Sequence, residues 1–129
     1  MSKSLNDIYD ALKERLAEFS DIITYIQETR DPFGKLIILR IYFYDGSFLD
    51  IRWNESGKYS LHWERRHVNG TLYRYDNAKH WANVSTYPHH FHDGSQQNVR
   101  ESDLPREPLK AIIHVLKFIR KKIIKRKNL

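Results

Sequence analysis

Six of the seven histidines in this chain (His62, His67, His80, His89, His90 and His92) fall within residues 62–92, three of them in the run Tyr-Pro-His-His-Phe-His. Imidazole titrates near neutrality, so such a group can act as general acid and base without a large pKa shift. In metal-independent RNA cleavage one imidazole would take the 2′-OH proton and another would protonate the leaving oxygen. Arg74 or Arg40 would then stabilise charge on the phosphate. A second chemistry is metal ligation: His90 and His92, with His80 or Asp93, could hold a divalent ion. Their spacing matches no strong zinc pattern, and the chain has no cysteine. A third reading is structural, with imidazole hydrogen bonds gathered around Asp76, Asn77 and Ser85. His114 sits near an apolar helical stripe and reads as a packed residue. Phosphate-binding glycine loops, dinucleotide fingerprints and nucleophile elbows do not occur.

These side chains need elements to position them. Leu5, Ile8, Tyr9, Leu12, Leu16 and Phe19 recur at spacings of three and four, which predicts a helix over Ser4 to Phe19 with Ser4 as N-cap. The period then shortens. Five β-branched and aromatic runs follow, at Ile22–Glu28, Leu36–Tyr44, Phe48–Trp53, Tyr59–Glu64 and Thr71–Asp76. Turn chemistry at 31–34, 45–47, 54–57 and Asn69-Gly70 separates them, which predicts a five-stranded antiparallel meander. From about Pro108 a helical period returns through Ile112, Val115, Leu116, Ile119 and Ile123, with a proline suited to the first turn. Residues 77–105 lack a clear period, with a short strand expected near Val84–Tyr87 or His90–His92. The expected class is α+β, one domain over residues 1–129: a helix, the meander, a His-rich irregular segment and a basic C-terminal helix packed on the sheet.

Side chains alternate across a strand, so each run divides into two faces. Ile37, Leu39, Ile41 and Phe43 form one face, continued by Leu49, Ile51, Trp53, Tyr59, Leu61 and Trp63, and the helices should cover it. The opposite face carries Arg40 and Tyr42, Asp50 and Arg52, Ser60, His62 and Glu64, then Arg74 and Asp76. Thr71, Tyr73 and Tyr75 could point either way. A wet face with charges paired across strands would explain the pattern, but arginine, histidine beside glutamate, and tyrosine are also what a phosphate-handling site needs. If residues 89–92 are extended, His90 and His92 share a face and His89 opposes them.

A chain of 129 residues with seventeen aromatics can fill a core without a staple, and 29% charged residues do not suggest disorder. The lack of cysteine and of a signal-peptide core or 20-residue apolar span fits a cytoplasmic protein that does not enter a membrane. The net charge of +6 is uneven: Lys117, Arg120, Lys121, Lys122, Lys125, Arg126 and Lys127 lie in the last thirteen residues with no acidic residue among them. The remainder has 15 basic and 16 acidic residues, so it is nearly neutral. Such an end suits phosphate or an acidic partner, or simply complements the helix dipole.

Three segments together resemble a known family. Tyr59-Ser-Leu-His-Trp, Arg74-Tyr-Asp-Asn-Ala-Lys-His80 and Ser85-Thr-Tyr-Pro-His-His-Phe-His92-Asp-Gly look like the TumE-like toxins of prokaryotes. The resemblance spans roughly residues 20 to 125 and is most specific between 59 and 94. It implies the toxin half of a type II toxin–antitoxin pair, with a separate DNA-binding antitoxin as partner. Arg74, Asp76, Asn77, His80, Pro88, His89, His90 and His92 fall in the matching motif, while Phe91 stands where relatives are expected to carry lysine. Joined to the residue chemistry, this predicts a toxin that cleaves RNA without a cofactor. His90 and His92 would be acid and base, supported by His62 and His89, with Arg74 and Asp76 completing the catalytic set. Arg40, Arg52, Tyr42 and the basic stretch would bind nucleic acid, and a homodimer is compatible with the reading. The competing expectations are a non-catalytic nucleic-acid-binding module stacking bases on Tyr42, Tyr73 and Tyr75, and a metal site at His80, His90 and His92. The basic end could instead dock an acidic segment of the antitoxin.

Overall fold

A computed structural model describes residues 3–127, with side chains to residue 124. Helix α1 (Leu5–Lys13) starts where Ser4 accepts a hydrogen bond from the Asp7 N–H, 3.2 Å away. It buries Leu5, Ile8, Tyr9 and Leu12. The predicted helix to Phe19 is interrupted: a 3-10 turn at Leu16–Phe19 replaces its last part. That tighter turn delivers both Phe19 and Ile22 to the core, each 1% exposed.

Seven antiparallel strands follow in simple meander order, two more than the sequence suggested. They are β1 (Ile23–Arg30), β2 (Leu36–Phe43), β3 (Phe48–Trp53), β4 (Tyr59–Arg65), β5 (Thr71–Asp76), β6 (His90–Gly94) and β7 (Val99–Glu101). The extra strands come from the segment expected to be irregular. His90–His92 is extended and Val84–Tyr87 is not. The Asn69-Gly70 pair does not make a tight hairpin. It ends a one-turn helix, α2 (Arg66–Asn69), with Gly70 in the left-handed region at φ +80°. A glycine with positive φ serves either structure, so the dipeptide alone does not distinguish them.

One face of the sheet is covered by α1 and by α3 (Pro108–Lys127), which starts at a proline as expected. The core interleaves Leu39, Ile41, Leu49, Ile51, Leu61 and Trp63 with Ile112, Val115, Leu116, Ile119 and Ile123. Ile37 departs from its expected place and is exposed. The β1–β2 register passes from Thr29↔Ile38 to Arg30↔Leu36, so Ile37 lies in a bulge and Leu36 turns inward instead. Tyr73 and Tyr75 point to the helix side, where Tyr73 lies edge-on to Phe118 and Tyr75 stacks on Phe91. They are therefore not open to bases. No helix among the described residues is long and apolar enough to cross a membrane.

Candidate active site

Cross-strand pairing aligns the polar face. Gln27, Arg40, Asp50, His62, Arg74 and His92 form one row across β1 to β6. The neighbouring row carries Arg52, Ser60, Asp76 and His90. Thus β4, β5 and β6 bring His62, Arg74, Asp76, His90 and His92 together, while Phe91 between the two histidines packs into the core. The alternation His-Phe-His does here what polar–apolar alternation does in any half-buried strand.

Arg74 is the hub. Its Nε donates to Asp76 Oδ2 at 2.9 Å, Nη1 to His62 Nδ1 at 3.2 Å, and Nη2 to His92 Nε2 at 3.1 Å and Gln96 Oε1 at 2.6 Å. A guanidinium can only donate, so His62 Nδ1 and His92 Nε2 are both acceptors. The far nitrogens agree with that assignment. His62 Nε2 faces Glu64 Oε1 at 3.0 Å, and His92 Nδ1 faces the Gln96 carbonyl at 2.9 Å, so each donates there. Both imidazoles are accordingly neutral, with their lone pairs turned onto one arginine.

His90 differs. Its Nδ1 donates to the Pro88 carbonyl at 3.0 Å, and its Nε2 lies 3.0 Å from Asp76 Oδ1. Both nitrogens face oxygen, which an imidazolium satisfies. Burial pushes the Asp76 carboxyl up, yet the Ala78 N–H, Arg74 and the His90 charge hold it at about 2; His92 Nε2 lies 3.6 Å from Asp76 Oδ2, beyond hydrogen-bond reach, and turns its lone pair to Arg74 instead. Glu64 is also held at about 2, chiefly by Arg66, against burial and with help from His62. Burial lowers the His62 imidazole; Glu64 opposes this and the Arg74 charge adds to it. Trp81 covers the cluster, its ring 6.3 Å from that of His90 and 6.1 Å from that of His92. His90 and His92 are almost wholly buried, whereas His62 and Arg74 are partly open.

The remaining expected residues fall elsewhere. His89 lies just before β6, and its Nδ1 is 2.8 Å from the Tyr59 hydroxyl, against whose ring it stacks. Tyr59 belongs to the core face, so His89 is not brought to the Arg74 cluster. Burial, then the Arg106 and His90 charges, lower its imidazole. His80 is exposed in the loop before β6. The group whose possible ligand atoms lie within 4.8 Å of one another is Asp76, His90 and His92, without His80. Arg40, Tyr42 and Arg52 share the open face with the cluster. Arg40 is fixed by a two-pronged contact to Asp50, at 2.7 and 2.9 Å, while no carboxylate among the described residues lies within ion-pair distance of Arg52.

Lys117, Arg120, Lys121 and Lys122 belong to α3, on the other side of the sheet. Lys122 lies 5.1 Å from the Tyr73 ring centre, and Arg120 pairs with Asp21 at 3.0 Å. The Lys125, Arg126 and Lys127 side chains lie outside the described residues. Gln96 and Trp81 are participants that the sequence reading missed. Neither carries a spacing signal, because loops place them. Glu64 was visible on the polar face through strand alternation.

Comparison with curated proteins finds no match, and comparison with solved structures finds none either. A protein-family model described as Toxin TumE matches residues 8–123, which takes in most of α1, all seven strands and most of α3. The resemblance first carried by the segments between Tyr59 and Gly94 therefore extends over nearly the whole fold, and the chain belongs to the TumE toxin family.

Proposed function

We propose that this chain is the toxin of a type II toxin–antitoxin pair and that it cuts RNA by metal-independent acid–base catalysis on the open face of its sheet. One observation carries the reading: a single guanidinium, that of Arg74, occupies the lone pairs of two neutral imidazoles, His62 and His92. A phosphate diester that engages Arg74 would take over those N–H groups and release both lone pairs beside the reacting bonds. His92 Nε2 then accepts the ribose 2′-OH proton as that oxygen attacks phosphorus. His62, its imidazolium favoured by Glu64 once Arg74 is occupied by phosphate, gives a proton to the departing O5′. The P–O5′ bond breaks, leaving a 2′,3′-cyclic phosphate and a free 5′-hydroxyl. Asp76 and His90 hold Arg74 and the β5–β6 frame in place. The acid–base pair is thus His62 with His92 rather than His90 with His92, because both His90 nitrogens are already committed to oxygen.

The cytoplasm is the compartment in which such a toxin would meet RNA. The basic surface of α3, on the far side of the sheet, suits an acidic segment of a DNA-binding antitoxin better than a substrate held at Arg74. The direct test is induction of the protein alone in a bacterial host beside His62→Gln and His92→Gln, with soluble yields matched. Growth arrest by the wild type and recovery in both variants is expected. Full toxicity of both variants would sink the assignment.

A second reading has one observation in its favour. His90 and His92 each donate Nδ1–H to a backbone carbonyl while their Nε2 atoms converge on Asp76, which is how metal-ligating histidines are commonly held. A divalent ion there would displace the His90 Nε2 proton and require Arg74 to leave His92. Stoichiometric zinc, manganese or magnesium in untagged protein, lost in Asp76→Asn, would favour that reading.

A further inference from the structure

Beside the Arg74 row, the same face of the sheet carries a line of rings. Tyr25 on β1, Tyr42 on β2, Phe48 on β3 and His67 on α2 follow one another with centroids 5.8, 5.7 and 5.8 Å apart. The register explains the line, since Tyr25 pairs with Tyr42 and Tyr42 with Phe48. Phe48 in turn pairs with Glu64, the partner of His62, so the aromatic line lies alongside the reacting cluster. The Arg40 guanidinium lies 3.9 Å from the Phe48 ring centre and 5.9 Å from that of Tyr42, joining the two rows. Tyr25 is 61% exposed on an edge strand, although a ring of that size is usually covered.

We infer that this line is a stacking platform for unpaired bases, and that it makes single-stranded RNA the substrate class of the neighbouring site. The inference rests on the RNA-cleavage reading above and specifies how that substrate is held. Three properties favour RNA over an apolar partner. One guanidinium, that of Arg40, lies against both Tyr42 and Phe48, which puts a cation beside the rings as bases strung on phosphates require. Arg52, exposed on the same face and lacking an ion-pair partner among the described residues, is available to the backbone. The line also borders the reacting row, since Phe48 pairs with Glu64, which contacts His62, which in turn contacts Arg74. Base–aromatic stacking is tolerant of sequence, so the platform selects unpaired strands rather than a particular motif. A duplex keeps its bases stacked on one another and offers none to the rings.

The test is binding of a fluorescent 2′-O-methyl RNA oligonucleotide, single-stranded or as a duplex, read by anisotropy. The 2′-O-methyl group removes the nucleophile, so binding is measured whether or not the protein cleaves. Wild type should prefer the single strand. Tyr25→Ala, at an exposed position, should weaken that binding about five-fold or more. Tyr42→Leu should do the same, while Tyr42→Phe keeps the ring and should bind as wild type does. Unchanged affinity in both Tyr25→Ala and Tyr42→Leu would overturn the inference, as would equal binding of duplex and single strand. Failure of the cleavage reading would appear separately, as unmodified RNA left intact by a protein that still binds the methylated strand.

Discussion

Arg74→Ala should destabilise the fold as well as silence the site, because one residue satisfies four others. Its removal takes a donor from Asp76, His62, His92 and Gln96 at once. Asp76 keeps the Ala78 N–H and His90, but its carboxylate is only 9% exposed and loses the guanidinium. Breaking a buried ion pair from one side costs about 3–5 kcal/mol. Arg74 is itself one-fifth exposed, so water enters the vacated space and the lower end of that range applies. The buried His92 Nε2 also loses its donor, an orphaned acceptor worth about 1–3 kcal/mol. The same water relieves both losses, so they overlap, and the expected total is about 3–4 kcal/mol. In a domain of this size each kcal/mol moves Tm by roughly 3–5 °C, so the midpoint should fall by about 10–20 °C. Arg74→Lys keeps a charge but not the fork, and should lose about half as much stability. Urea titration and thermal unfolding at pH 7 measure both. A loss below about 1 kcal/mol in Arg74→Ala would refute the hub role, since it would mean that the four contacts carry no net stability.

Three further outcomes follow from other parts of the structure. Glu64 falls from an ordinary 4.5 to about 2 in the folded protein, so it contributes stability above about pH 4.5 that is lost as pH falls toward 2. Wild type should therefore lose stability more steeply than Glu64→Gln between pH 5 and 3, and parallel urea midpoints across that range would contradict this. Gly70→Ala should cost about 1 kcal/mol, because its added Cβ meets nothing within 4 Å and the φ of +80° alone is unfavourable; a neutral result in thermal unfolding would show that the α2 turn relaxes. Replacing Lys117, Lys121 and Lys122 with Gln should leave cleavage of a short RNA unchanged while weakening neutralisation by the antitoxin, measured by co-expression. A cleavage rate that falls with these substitutions would place substrate on the helix side.

The parts of the fold legible in the sequence were those whose period is made by apolar residues. The α3 stripe from Ile112 to Ile123 and the β3 and β4 alternation through Leu49, Ile51, Leu61 and Trp63 needed no tertiary information. Strand β6 stayed one of two alternatives because a single Phe between two histidines is too brief an alternation to choose His90–His92 over Val84–Tyr87. Strand β7 has three residues and little pattern of its own. Ile37 went astray because a bulge reverses the phase, and a bulge is set by pairing with β1 rather than by β2 itself. The residue types at the site were visible, and so was the shared face of His62, Arg74 and Asp76, but the contacts among them were not. That His62 meets Arg74 while His89 meets Tyr59 depends on register across three strands and on where β6 starts. Gln96 and Trp81 reach the cluster from loops, where no period exists to read.

The central claim is that the Arg74 row cleaves RNA through His62 and His92 without a metal. Purified protein should be incubated with a short single-stranded RNA in EDTA and the ends of the products identified. Fragments ending in 2′,3′-cyclic phosphate and 5′-hydroxyl are expected, formed by wild type and absent with His62→Gln or His92→Gln of equal fold. Intact RNA under these conditions, or cleavage that both variants retain, would contradict it.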